Sequence, residues 1–242
     1  IAAIDALAHG ENLLWFAAEA AGVAVLAWLL VRRVLSMAAP LLPLDLLRIP
    51  IFSLSVATSV CSFIGQMLAL VSLPFLFQDK LGFSAVETGL LMTPWALAIA
   101  AAAPIAGRLA DRHPPGLLCT IGLIIFSGGL FALAFMPAHP DVIGIVWRMA
   151  LMGIGFGVFQ SPNNRAMLSA APRERSGGAS GMLGSARLLG QTTGAALVAL
   201  LFARIPQYGN EASLILAGTV AILAAGISSF RLYEHHPVGE KP

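Results

Sequence analysis

Residues 49–78 read IPIFSLSVATSVCSFIGQMLALVSLPFLFQ and contain no Asp, Glu, Lys or Arg. A membrane hydrocarbon core about 30 Å thick takes about 20 helical residues to cross, and charged side chains are costly inside it. Comparable uncharged stretches recur along the chain as far as Arg231. The sequence therefore predicts a polytopic membrane protein.

Long apolar stretches with at most one charge predict seven transmembrane helices, named S1 to S7. They lie at about residues 13–31, 51–77, 86–106, 116–136, 142–160, 178–203 and 212–230. Barrel strands would appear as segments of about ten residues that alternate apolar and polar side chains, and the sequence shows no such alternation. The predicted fold class is therefore all-α, with seven membrane helices.

Composition limits the classes of function. The 242 residues are 58% hydrophobic and 11% charged, so no separate aqueous domain is visible. The cations are spread over several loops and form no patch of the kind that binds nucleic acid. Cys61 and Cys119 both fall in apolar spans, where a small buried side chain is favoured over a disulfide or a metal pair. No metal site, cofactor site or catalytic constellation is predicted, which argues against an enzyme.

The start of the sequence suggests a piece of a longer protein. Ile1 stands first, and no basic, apolar and small-residue cleavage pattern precedes S1. We therefore expect no signal peptide and a fragment of a longer chain.

Loop charges predict the orientation. When loops are placed alternately on two sides, ten cations fall on one side and only Lys80 and Arg204 on the other. The positive-inside rule makes the first side cytoplasmic. The loops at 32–50, 107–115 and 161–177 are then cytoplasmic, the N-terminus is outside and the C-terminus is cytoplasmic.

Glycine spacing predicts close helix contacts. S5 contains GIGFG at 153–157, and S6 contains the pairs Gly177/Gly181 and Gly190/Gly194. Small residues at this spacing let two helices approach; the alternative is that they allow rocking or leave cavity volume. S2 to S7 can also be divided into two triplets of inverted orientation, an arrangement found in secondary transporters.

The loop between S3 and S4 carries a recognisable motif, PIAGRLADRHPP at 104–115. It resembles the Gly-x-Leu-Ala-Asp-Arg loop of the major facilitator superfamily through Gly107, Leu109, Asp111 and Arg112. The family pattern continues with glycine and basic residues where this chain has His-Pro-Pro. Glycine lets two helices approach here, and Asp111 is favoured near a neighbouring helix N-terminus. A plain polar turn that satisfies the positive-inside rule is the alternative.

Three further segments are similar to the fourteen-helix drug:proton antiporter branch of that superfamily, namely residues 40–52, 88–95 and 161–197. The resemblance implies proton-coupled efflux of lipophilic drugs by alternating access, in a bacterial inner membrane. It implies a gating motif on the cytoplasmic side formed by Gly107, Asp111 and Arg112.

The same resemblance implies how the chain is divided. Residues 1–50 would be a peripheral transmembrane helix and its cytoplasmic linker, 51–236 the six-helix C-terminal transporter domain, and 237–242 a cytoplasmic tail. The expected partners are the lipid bilayer, a small-molecule substrate and a missing N-terminal six-helix domain.

Polar residues in or beside the spans, together with Trp95, form the candidate substrate pathway: Gln66, Trp95, Arg148, Gln160, Asn163, Asn164, Arg187 and Gln191. Hydrogen bonding between helices is the alternative for the amides, and packing for Trp95. Arg148 lies near the outer end of S5, where structural use is favoured. Arg187 lies deeper in its span. Its alternatives are packing between helices, or a bond to a backbone carbonyl, an amide side chain, the missing half of the protein or a substrate anion.

Other functions remain open at this point. The two intramembrane arginines, with no acid in the membrane cores of S2 to S7, also fit an organic-anion or metabolite carrier. A seven-helix receptor is less favoured, and a retinal protein is disfavoured because neither Lys lies in a span. The acid inside a span is Glu19 in S1, for which a structural role is favoured over proton coupling. A coupling carboxylate is therefore expected in the missing half.

Overall fold

The computed structural model describes residues 44–233. The predicted helix S1, Glu19 and the predicted tail at 237–242 lie outside this range. Six long helices within it correspond to S2 to S7, and we number them in chain order. They are α1 (Pro50–Phe75), α2 (Ala85–Leu109), α3 (Pro115–Ala134), α4 (Val142–Ala170), α5 (Ser176–Arg204) and α6 (Gly209–Tyr233).

Short helical pieces complete the described range. The 3-10 helix Leu44–Arg48 precedes α1, the π-helical turn Leu76–Lys80 extends α1, and the 3-10 helix Arg173–Arg175 precedes α5. Six helices between residues 44 and 233 are long and apolar enough to cross a membrane. The all-α class is therefore confirmed for this part of the chain, whereas the predicted count of seven includes S1 and is not tested.

The predicted end of S5 is wrong. Residues 161–177 were expected to form a loop, but α4 continues to Ala170. Its 29 residues rise about 44 Å at 1.5 Å per residue, which exceeds a hydrocarbon core of about 30 Å. Polar residues therefore mark the edge of the membrane and not the end of the helix. For the same reason α2 runs on to Leu109, inside the loop predicted at 107–115.

Local sequence signals explain where the helices begin. Ser84 and Glu87 form a reciprocal capping box at the start of α2, and the Asp141 carboxylate accepts a hydrogen bond from the Gly144 amide at the start of α4. Pro50 and Pro115 occupy the first positions of α1 and α3. An amide proton at this position would have no partner within the helix, so proline costs no hydrogen bond there.

The six helices pack as an open arc. α2 packs on α4, α4 on α3, α3 on α6, α6 on α1, and α1 on α5, while α1 and α4 also touch. Between residues 44 and 233, α2 and α5 do not pack extensively on each other. The arc therefore has α3 and α6 at its back, α1 and α4 at its centre, and an open face between α2 and α5.

Burial agrees with this arrangement. In the most apolar 18-residue stretch of each helix, 22% of the stretch is buried in α2 and 28% in α5, against 44 to 50% in the other four helices. The centre is held by Phe63, Phe126, Phe156 and Phe159, whose rings meet edge to face. The two outer helices consequently leave large apolar surfaces exposed.

The predicted glycine contacts divide into two groups. A Cβ on Gly190 would lie 2.6 Å from the Val60 carbonyl oxygen, and one on Gly194 would lie 2.8 Å from the Ile64 carbonyl oxygen. This pair therefore sets the contact of α5 with α1. A Cβ on Gly177 or Gly181 would meet nothing within 4 Å, so the close approach predicted there is not made between described residues.

Most arginines lie at one end of the bundle, where α1, α3 and α5 begin and α2, α4 and α6 end. We call it the arginine-rich end, defined by Arg48, Arg108, Arg112, Arg165, Arg173, Arg175 and Arg231. At the opposite end, Lys80 forms an ion pair with Glu211 of α6.

Candidate functional site

One predicted amide residue, Gln160, lies on α4 between the directions of α1 and α2. On α4, Gly153 packs against α2, where an added Cβ would lie 2.7 Å from the Ala98 Cβ, and Phe156 meets Phe63 of α1. Gln160 follows them by seven and four residues, so its side chain projects between these two directions. It is half-buried, as expected at the edge of a groove.

The remaining predicted pathway residues have different surroundings. Gln66, Asn164 and Gln191 are half-buried and Arg187 is exposed. Trp95 and Asn163 are buried. The structure therefore does not gather all eight predicted residues into one cavity.

Trp95 belongs to the hydrophobic core. It is 6% exposed, and a Cβ on Gly153 would lie 2.5 Å from its carbonyl oxygen. Its indole Nε1 has no hydrogen-bond partner among the described residues. In this structure Trp95 packs between α2 and α4.

Arg148 joins two helices near the end of the bundle that carries Lys80. Its Nε donates to the Ala132 carbonyl oxygen of α3 at 2.9 Å, and its Nη1 donates to the Gly144 carbonyl oxygen at 2.6 Å. The guanidinium carbon also lies 4.5 Å from the centre of the Trp147 ring. Through these contacts the Arg148 side chain joins α3 to α4.

The predicted gating motif contacts the end of α4. Asp111, in the turn after α2, forms an exposed ion pair with Arg165 of α4. A Cβ on Gly107 would lie 3.0 Å from the Ser161 Oγ, so the ends of α2 and α4 are close there as well. The expected neighbour of Asp111 was a helix N-terminus. Arg165 was missed because residues 161–177 were assigned to a loop.

A buried arginine is the functional candidate that sequence reasoning missed. Arg231 was treated as a flanking cation after S7, but α6 continues past it and its side chain is only 4% exposed. Its Nη1 donates to Ser55 Oγ and to Asn163 Oδ1, both at 2.9 Å, and its Nη2 donates to Ser228 Oγ at 2.8 Å. We call this set, with Ser59, the Arg231 centre.

The Arg231 centre connects four helices. The Asn163 Nδ2 donates to Ser59 Oγ at 2.7 Å, which joins α4 to α1. Ser228 Oγ donates to the Gly116 carbonyl oxygen at 3.2 Å, which joins α6 to α3. The sequence does contain small polar residues at one end of S2 and S5. Only the packing of the helices shows that these residues contact Arg231.

Residues 55–242 match the profile described as the Major Facilitator Superfamily. The chain belongs to this superfamily. The resemblance carried by residues 104–115 is thereby confirmed. Because this is a superfamily of transporters, the prediction that the protein is not an enzyme is also confirmed.

The chain is also similar to several bacterial proteins. The chain is 55% identical over 232 residues to the "Uncharacterized transporter YebQ" of Escherichia coli, covering 96% of this chain and 51% of that protein. It is 27% identical to the "Riboflavin transporter RibZ" of Clostridioides difficile, over 66% of this chain and 35% of that one. It is 29% identical to the "Multidrug resistance protein Stp" of Mycobacterium tuberculosis, over 79% and 34%.

The chain thus spans between about a third and a half of the length of these relatives. The open face of α1, α2, α4 and α5 lies opposite α3 and α6, which form the back of the arc.

Proposed function

We propose that the chain is one half of a proton-coupled exporter of lipophilic drugs that works by alternating access. The observation that carries the proposal is the open face, which exposes much of α2 and α5 and leaves α1 and α4 uncovered on that side. A relative described as a multidrug resistance protein supports a drug as the substrate.

The proposed partner of this face is a second six-helix domain. A chain that covers 51% of YebQ has the length of one half of such a transporter. In this proposal residues 51–236 form the C-terminal transporter domain, residues 1–50 a peripheral helix with its linker, and residues 237–242 a tail. The arginine-rich end faces the cytoplasm by the positive-inside rule.

The proposed substrate contacts are the amides Gln66, Gln160, Asn164 and Gln191, together with Arg187. Amide groups donate and accept hydrogen bonds without a charge, so they can hold a drug within an apolar wall. The side chains of Trp95, Arg148 and Asn163 shape this wall from behind, because their contacts lie between helices.

Drug binding tests this proposal. Ethidium is a lipophilic cation with amino groups that can donate to the Gln160 amide oxygen. We expect Gln160→Leu to weaken ethidium binding about fivefold, since one hydrogen bond contributes about 1 kcal/mol. Fluorescence titration of the purified chain measures the dissociation constant.

A matched control and the alternative complete the experiment. Thr219→Val removes a hydroxyl that bonds within its own helix on α6, and it should leave ethidium binding unchanged. If the chain instead binds the anion fluorescein in preference to ethidium, and Arg187→Gln abolishes that binding, the organic-anion carrier replaces the drug exporter. Arg148 and Arg187, which lie inside predicted spans, motivate the anion carrier, and the riboflavin transporter among the relatives motivates the related alternative of a metabolite carrier.

The pair of Asp111 and Arg165 is proposed to control the switch between inward-open and outward-open forms. An exposed ion pair contributes up to about 1 kcal/mol, which corresponds to about fivefold in a rate. We expect Asp111→Asn to slow transport by the complete transporter about fivefold and to change the drug dissociation constant less than twofold.

The reversed pair distinguishes a specific contact from a general charge effect. Asp111→Arg combined with Arg165→Asp is expected to restore most of the rate lost in either single variant. Lys80→Gln, at the opposite end, serves as the control for loss of an exposed ion pair. Normal turnover combined with a large loss of affinity in Asp111→Asn would contradict a role in switching.

A further inference from the structure

One side of α5 carries small and polar residues that no described helix covers. We call it the open stripe, and its members recur every three or four positions: Gly177, Ser180, Gly184, Arg187 and Gln191. Residues at this spacing line one side of a helix. All five are exposed or half-buried, and a Cβ on Gly177 or Gly184 would meet nothing within 4 Å.

The open stripe is poorly suited to contact with lipid. Arg187 lies eleven residues after Ser176, where α5 begins, which is about 17 Å along the helix and well inside a hydrocarbon core about 30 Å thick. A charge at this depth needs a partner. Arg187 is nevertheless exposed, and none of the ion pairs within residues 44–233 includes it.

A matching acid occurs in the predicted span S1. Glu19 is the one acid that lies away from the ends of a predicted span. It stands thirteen residues before Arg32, which is about 20 Å along a helix. Arg32 begins the connection that leads to the arginine-rich end, where α5 also begins. Glu19 and Arg187 are therefore expected at similar depths, measured from the same side of the membrane.

The chain enters the described range beside the first turns of α5. Asp45, in the 3-10 helix before α1, forms an ion pair with Arg175 at 2.9 Å between Oδ1 and Nη2. Leu46 shares a buried cluster with Ala179 of α5. The connection at residues 32–43 spans up to about 40 Å when extended, which is long enough to place S1 against α5. S1 would then run antiparallel to α5.

Pairing Glu19 with Arg187 fixes which residues of the two helices face each other. Because the helices run in opposite directions, each step forward in S1 is a step back in α5. The other layers are Trp15 with Gln191, Gly22 with Gly184, Leu26 with Ser180 and Leu29 with Gly177. Bulky residues of S1 thus face small residues of α5, apart from one layer of two glycines and one of tryptophan with glutamine. Small residues at a contact let membrane helices approach closely.

We propose that S1 packs antiparallel on the open stripe of α5, with the Glu19 carboxylate bonded to the Arg187 guanidinium inside the membrane. The planar fork of arginine fits a carboxylate through two hydrogen bonds, and a charge removed from water requires such a partner. An arginine paired in this way presents no net charge to the proposed pathway, which suits a lipophilic drug better than an anion. The docking of S1 itself does not depend on the substrate.

Disulfide cross-linking of the purified chain in dilute micelles tests the position of S1. Gly22→Cys and Gly184→Cys place two thiols in the same layer, and the Gly184 position has open space for a side chain. After oxidation with copper phenanthroline, we expect mass spectrometry to find these two positions linked. The matched control is Gly22→Cys with Gly128→Cys, because Gly128 is an equally open glycine on α3 at the back of the arc. We expect no link in the control.

A double-mutant cycle tests the charge pair. Glu19→Gln leaves Arg187 unpaired in the membrane, and Arg187→Gln leaves Glu19 unpaired. Each is expected to lower the midpoint of thermal unfolding by about 5 °C. The variant with both changes should lie closer to the unchanged chain than either single variant, since neither charge remains. Glu11→Gln, which removes an acid just before S1, is the control and should leave the midpoint unchanged.

Every outcome supports or overturns the docking. A link between positions 22 and 184, with non-additive effects of the two charge variants, supports it. A link to position 128 instead, no link at either position, or additive losses in the double variant overturns it. Links between two chains would assign the open stripe to a second copy, and a link that disappears in the complete transporter would assign it to the second six-helix domain. The cross-linking variants keep Glu19 and Arg187, so they decide even if a charge variant does not fold.

Discussion

Gly129→Ala is expected to destabilise the helix bundle strongly, whereas Gly128→Ala, one residue earlier, is expected to stabilise it slightly. A Cβ on Gly129 would lie 2.6 Å from the Met152 amide nitrogen and 2.7 Å from the Met152 Cα. These are backbone atoms of α4, so no side-chain rotation can relieve the clash. The two helices must separate, and overpacking of this kind costs about 3 kcal/mol.

Gly128 is the matched control on the same turn of α3. A Cβ there would meet nothing within 4 Å, and alanine is favoured over glycine in a helix by about 1 kcal/mol. The midpoint of unfolding in mixed micelles, with increasing dodecyl sulfate, compares the two variants with the unchanged chain. Equal stability of Gly128→Ala and Gly129→Ala would contradict the close contact of α3 with α4.

This pair of glycines shows what periodicity could and could not predict. The spans S2 to S7 followed from the length of apolar stretches with at most one charge, and each has a helix within the described range. Small-residue spacing predicted close contacts, but the contact at Gly190 and Gly194 could not be distinguished from the open pair Gly177 and Gly181. Spacing identifies a helix face, and only the packing decides which neighbour covers it.

The Arg231 centre was missed for a different physical reason. The positive-inside rule treats every arginine beyond an apolar stretch as a loop residue, and Arg231 follows Phe230 directly. Its polar partners come from α1, α4 and α6, and Asn163 lies 68 positions away along the chain. Asn163 was instead predicted to line a substrate pathway. Sequence identified polar residues in apolar helices, but not which of them bond to one another.

The position of the acids leads to a prediction about proton coupling. Within residues 44–233 the carboxylates lie in the short helical pieces and turns outside the six long helices, or in the first turn of α2 or α6; they are Asp45, Asp79, Glu87, Asp111, Asp141, Glu174 and Glu211. The described histidines, His113 and His139, also lie between helices. No group of these six helices that changes charge near neutral pH therefore stands at mid-membrane.

The chain alone is consequently expected to show no drug flux driven by a pH gradient. Residues 1–242 reconstituted into vesicles with an imposed gradient should move ethidium no faster than protein-free vesicles. The same vesicles must show a helical circular dichroism spectrum and saturable ethidium binding, so that a null result cannot come from unfolded protein. Glu19→Gln should give the same result as the unchanged chain.

A second six-helix domain is expected to supply the mid-membrane carboxylate that these six helices lack. Joining that domain to this chain is expected to produce flux that depends on the gradient and is lost when a mid-membrane carboxylate of the added half is changed to its amide. Robust coupled flux from residues 1–242 that survives Glu19→Gln would contradict this view. In that case proton movement would have to use groups at the helix ends, of which Glu211, paired with Lys80, and Asp111, paired with Arg165, would be the first to substitute.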